Sequence, residues 1–131
     1  MRNKLLKLGA LVGLGVYLYK ENTDTFSNLS YLVLPMFQKN DKSDLVSYTW
    51  GSRSFAIMKG PVGLISSLYE TYPTQQGLIG PVFYNEKSNC LNMGIVDETR
   101  NEGYIVGFYG MSEPEAMLLA KTFKIVPPTQ A

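Results

Sequence analysis

The side chains that bring chemistry to mind in this 131-residue chain are few and scattered. Glu113 and Glu115 flank Pro114 and form a pair of carboxylates of the kind that general acid and base catalysis employs. Placed at the start of a helix, however, the same two acids act as caps. Asp41 and Asp44 in the run QKNDKSD hold part of a calcium loop but not the full ligand set or its central glycine. Cys90 is the single cysteine, and its neighbours Asn89, Leu91 and Asn92 supply neither base nor cation, with Lys87 the nearest positive charge in sequence. Ser66 and Ser67 have no histidine to activate them, and no lysine stands at S-x-x-K spacing from any serine. The run Asp97, Glu98, Arg100, Glu102 reads as a solvated, charge-rich turn.

The chain has no histidine, which removes the commonest general base together with the commonest metal ligand. No glycine-rich phosphate loop occurs, so a nucleotide has no cradle. These residues lead us to expect a protein that is not an enzyme, with no catalytic residue, no metal site and no cofactor.

What must position any remaining function is a two-part chain. Leu5 to Tyr19, LLKLGALVGLGVYLY, is apolar apart from Lys7 and is flanked by Arg2, Lys4 and Lys20. As a helix it is about 22 Å long against about 30 Å of bilayer hydrocarbon. Snorkelling of Lys7, and Tyr17 and Tyr19 at the opposite interface, shorten the gap. A cleaved signal peptide needs small residues where Tyr17, Leu18, Tyr19 and Lys20 stand, and an interfacial helix needs a polar face that Leu8 to Tyr19 lacks. A helix buried in a soluble protein also fits so short a run. We expect a retained membrane anchor over 1–20, with Gly9, Ala10 and Gly13 forming a small-residue face for a partner helix.

The first 20 residues carry four basic and no acidic side chains, leaving 8 basic against 11 acidic, or −3, for the rest. That balance argues against nucleic acid as a partner. It also orients the anchor with its N-terminus inside and the domain outside, in a bacterial or mitochondrial inner membrane.

After a polar linker over 21–30, the sequence predicts a single α+β domain over 31–126 and a tail over 127–131. Asn28-Leu29-Ser30 matches the N-glycosylation triplet, which occurs often by chance. Tyr31 to Phe37 contains Pro35 and suits an edge or extended packing segment. Leu45 to Trp50 and Ser54 to Met58 surround Gly51-Ser52-Arg53 and predict a hairpin, with Val46, Tyr48 and Trp50 on one side and Trp50 as a lid over the core. Between Gly60 and Gly80 we expect a short helix after Pro61, then a loop with Tyr69 and Tyr72 as contact residues. Val82 to Asn85, Cys90 to Val96 and Tyr104 to Tyr109 predict an antiparallel meander. In its last strand Tyr104, Val106 and Phe108 share one side, and Ile105, Gly107 and Tyr109 the other.

Ser112-Glu113-Pro114-Glu115 matches a capping box that opens a helix running to about Lys124. Its inward stripe is Ala116, Leu119, Ala120 and Phe123, and Lys121 and Lys124 complement the dipole.

The fold class expected is therefore α+β: an N-terminal membrane helix, then a small antiparallel β-meander domain with a C-terminal helix packed on the sheet. The function expected is that of a non-catalytic, single-pass accessory or assembly subunit of a larger membrane complex. Its partners would be membrane lipid and other subunits, with no nucleic acid and no nucleotide. An extracytoplasmic module that binds a lipid or peptide between sheet and helix is the alternative.

Overall fold

The computed structural model describes residues 22–63, 65, 70, 72–74, 77–80 and 82–127. The expected anchor over 1–20, with Gly9, Ala10 and Gly13, lies outside them. Among the described residues no helix is long and apolar enough to cross a membrane.

These residues form a mostly β, antiparallel domain with one helix near the C-terminus. A small sheet is built from β1 (Thr23–Phe26), β2 (Leu29–Leu32) and β11 (Lys124–Ile125), with β2 in the middle. A large sheet is built from β3 (Gln38–Asp41), β4 (Leu45–Trp50), β5 (Arg53–Gly60), β10 (Glu102–Tyr109) and β9 (Cys90–Asp97), in that order. Along the far edge of β9 lie β7 (Gly77–Ile79), which also pairs with β6 (Tyr72–Thr74), and then β8 (Phe83–Asn85). The helix α1 (Glu113–Ala120) packs near β9.

Alternation explains the layers. On the inner face of the large sheet Val46, Tyr48, Phe55, Ile57, Leu91, Met93, Ile95, Tyr104, Val106 and Phe108 are all buried, two residues apart along each strand. Phe26, Leu29, Tyr31 and Leu32 of the small sheet cover them, joined by Ala116, Leu119, Ala120 and Phe123. Phe55 is the hub. Its ring meets those of Tyr31, Phe37, Tyr48, Phe108 and Phe123 within 6.5 Å, in stacked and edge-on geometries that add to simple area burial.

The turns follow from local chemistry. Gly51-Ser52 closes the β4–β5 hairpin with Gly51 at φ 60°. The β8–β9 and β9–β10 connections, Glu86-Lys87-Ser88-Asn89 and Glu98-Thr99-Arg100-Asn101, both end on an asparagine in the left-handed region, at φ 48° and 55°. Asparagine is among the few side chains that tolerate it. Gly110, at φ 68°, leads from β10 toward the helix, and a Cβ there would land on the Ser52 carbonyl oxygen, so only glycine fits.

Several boundaries differ from expectation. The polar stretch 21–30 contains β1 and the start of β2, because Thr23 and Thr25 suit a strand and the backbone pairs Phe26 with Leu29 across a two-residue turn. Gln38 to Asp41, part of the polar run QKNDKSD expected as loop, is an exposed edge strand on β4, and its lysine and aspartate are the usual guard of such an edge. Thr74 to Gly80, also expected as loop, includes part of the β6–β7 hairpin.

Val62, Gly63 and Ile65 are helical after Pro61, as the spacing predicts. The C-terminal helix stops at Ala120 rather than Lys124. The hydroxyl of Thr122 donates to the Leu119 carbonyl at 2.6 Å and accepts from the Leu32 amide at 3.1 Å, which turns the chain into β11. Phe123 still fills the core, though from outside the helix, and Lys121 and Lys124 do not stand in its last turn.

Candidate functional site

Tyr69 lies outside the described residues, and Tyr72 stands in β6 opposite Ile79 rather than in a loop. Among the described residues no group of three or more metal-binding side chains is arranged around an ion. Three other places bring polar or aromatic side chains together, and the first two are built where the small sheet crosses the large one.

The first lies where the β1–β2 turn meets the end of β5 and the start of β10. The Glu102 carboxylate accepts from the Tyr104 hydroxyl at 2.6 Å, the Asn28 amide at 2.8 Å and the Lys59 ammonium at 3.1 Å. Burial pushes the Glu102 carboxyl up, but these three donors and the lysine charge outweigh it and bring it down to about 2, from an ordinary 4.5. Lys59 Nζ also reaches Ser27 Oγ at 3.2 Å, so the fold makes a serine–lysine pair that sequence spacing hides. The pair is chemically quiet. The hydrogen bond to Glu102 raises the Lys59 ammonium above its ordinary value, so it holds its proton and cannot take one from Ser27. Asn28, the acceptor position of the glycosylation triplet, has its amide engaged on Glu102.

The second is a proton-ordered ladder. Tyr48 donates to Asp24 at 2.6 Å, so its oxygen accepts the proton of Tyr31, also at 2.6 Å, and Lys39 pairs with Asp24 at 3.0 Å. Burial raises the Asp24 carboxyl, yet the Tyr48 bond and the Lys39 ammonium hold it below the ordinary carboxylate value. Burial, followed by the bond to Asp24, raises the Tyr48 phenol far beyond any working pH. It therefore cannot act as a base.

The turn expected to be solvated belongs to the same class. Asp97 is buried, 1% exposed, and holds the Arg100 guanidinium at 2.8 Å, while Glu102 is half-buried in the first cluster.

The third place is apolar. A groove of about 280 Å³ opens between the β4–β5 turn, the loop after β2 and α1, walled by apolar side chains such as Leu34, Phe37, Trp50 and Leu118, with the Arg53–Glu115 pair as its charged part. Trp50 is 38% exposed and has two partners, Phe37 edge-on at 5.9 Å and the Arg53 guanidinium 4.9 Å from its ring centre. It is thus a lid over Phe37 and a wall of the groove at once. Leu118, 67% exposed, forms part of the wall, and Met36, 45% exposed, lies in the turn that the Phe37 amide closes on the Leu34 carbonyl.

Ser112 caps α1, accepting from the Glu115 amide at 3.5 Å, as the motif predicts. The Glu115 carboxylate turns to Arg53 instead of back to the cap, at 2.9 Å, because the β4–β5 turn brings a guanidinium within reach. Glu113 and Glu115 are therefore not a paired acid and base. None of the residues singled out as a contact site lines this groove, although Trp50 near Arg53 and the run Met117-Leu118-Leu119, too apolar for one buried stripe, were its signals.

The chain matches no model of a known protein family, no curated protein and no solved structure.

Proposed function

We propose that this chain is a non-catalytic, single-pass membrane-anchored accessory or assembly subunit of a larger membrane complex, with its domain on the outer side of a bacterial or mitochondrial inner membrane. The observation that carries this reading is the outer face of the large sheet. Cross-strand pairing places Leu45, Met58 and Ile105 in one row and Ala56 and Gly107 in the next, with Met58 45% exposed. The ring of Tyr109 lies across the bare Cα of Gly107, where a Cβ would collide with the phenol. Ile65 covers Gly103 at one end of this face, and the row of Leu45, Met58 and Ile105 is an apolar strip, bordered by Ser47, Ser54 and Asn92, of the kind a partner subunit covers.

The polar clusters point the same way, since their donors and acceptors are engaged in holding the two sheets together. The test is migration of the full chain after extraction from its native membrane in mild detergent. The proposal expects co-migration with a large assembly, lost on Met58→Asp. Migration of the unaltered chain as a free, small species contradicts it. The groove beside α1 favours a second reading, a membrane-anchored module that takes a lipid or a peptide between sheet and helix. A small species that carries such a molecule is the outcome it expects.

A further inference from the structure

The β1–β2 hairpin has a direction. Its turn, Ser27-Asn28, sits on Lys59 and Glu102 at one end of the sandwich. Tyr31 sits over Tyr48 and Phe55 in the middle, and Leu34 and Phe37 reach Trp50 and Arg53 at the other end. The open end of the hairpin is therefore the groove end. There Asn22, whose carbonyl accepts from the Val33 amide at 2.9 Å, is hydrogen-bonded one residue away from Leu34 in the groove wall. Tyr19, the last residue of the apolar run, is three residues before Asn22, a reach of at most about 10 Å.

The exposed Trp50 and Leu118 line the groove at this same end, and the exposed Met36 stands in the turn between its wall residues Leu34 and Phe37. Tryptophan next to an arginine, with aliphatic side chains around it, is the composition that settles at the boundary between headgroups and acyl chains. We infer that the groove end of the domain docks on the lipid surface, with Met36, Trp50 and Leu118 inserted at the headgroup boundary and Arg53 at phosphate level. This rests on the membrane-anchor reading, and it fixes the domain's orientation: the groove faces the bilayer, the Glu102 end points away, and the outer sheet face stands upright for a partner.

Trp50 is the only tryptophan in the chain, so its emission reports the groove alone. The full chain is reconstituted in phosphatidylcholine vesicles, plain or brominated near the glycerol end of the acyl chains, and sedimented. The inference expects vesicle-bound protein whose Trp50 emission is about twofold weaker with bromine, consistent with insertion by about 5–10 Å. Changing Met36 and Leu118 together to serine should abolish that quenching while the protein still sediments. Vesicle-bound protein whose emission ignores bromine overturns the docking and leaves the anchor standing. This holds whether the emission is water-exposed or is blue-shifted beneath a second protein surface. Protein left in the supernatant overturns the anchor, and the docking with it.

Discussion

The two ends of β5 carry a cation each and use it in opposite ways. Lys59 stands at the end where the small sheet turns and is one of several donors converging on Glu102. Arg53, six residues and about 20 Å away, shares a half-exposed pair with Glu115 and leans on the face of Trp50. At the first end polar groups are closed into a clamp. At the second, apolar surface is left open beside a half-exposed ion pair. The charged side chains at the first end hold the two sheets together, and the exposed apolar ones at the second stand apart from them.

The largest effect expected from breaking this contrast is at Glu102. Glu102→Ala leaves Tyr104, Asn28 and Lys59 without their shared acceptor and should lower unfolding stability by about 2–4 kcal/mol. Urea denaturation followed by Trp50 emission checks it. Asp24→Ala strands the Tyr48 proton in the same manner and should cost about 1–3 kcal/mol.

Acid should sharpen the picture further. The Glu102 carboxyl, at about 2 when folded, takes up a proton less readily than in the unfolded chain at 4.5. Its stabilisation is therefore present above about pH 5 and lost as pH falls toward 2, a change of about 1–2 kcal/mol after solvent screening. Asp24, also held below its ordinary value, acts in the same direction. Glu102→Gln should flatten this acid limb, and an unchanged limb would remove Glu102 from the account.

The smallest stability change belongs to the groove. Leu118→Ser, at a largely exposed site, should move stability by about 0.5 kcal/mol or less. It should nonetheless weaken the quenching of Trp50 by brominated lipid. A stability loss as large as that of Glu102→Ala would erase the distinction between the two ends.

How much of this was legible beforehand depended on the range of the signal. The β4–β5 hairpin, the β8–β9–β10 meander, the two faces of β10 and the Ser112 cap are local patterns of period two or fixed offset, and all are present. The strands β1 and β11 were not legible. Each is short and partly polar, and exists because β2 offers it a backbone edge. The helix end was misplaced because Thr122, a neutral residue by propensity, is recruited by the Leu32 amide 90 positions away. The clamp and the groove lie at similar long range: Asn28 meets Glu102 only once the sheets are stacked, and Arg53 meets Glu115 only once the helix lies beside the β4–β5 turn.

Everything said of function rests on the segment before Asn22 holding the domain at a bilayer. Alkaline carbonate extraction of membranes from cells that make the full chain, with N-terminal sequencing of the recovered protein, addresses that directly. The account predicts protein in the membrane pellet with residues 1–20 still attached. Protein released to the supernatant, or a mature chain that begins after Lys20, would contradict it.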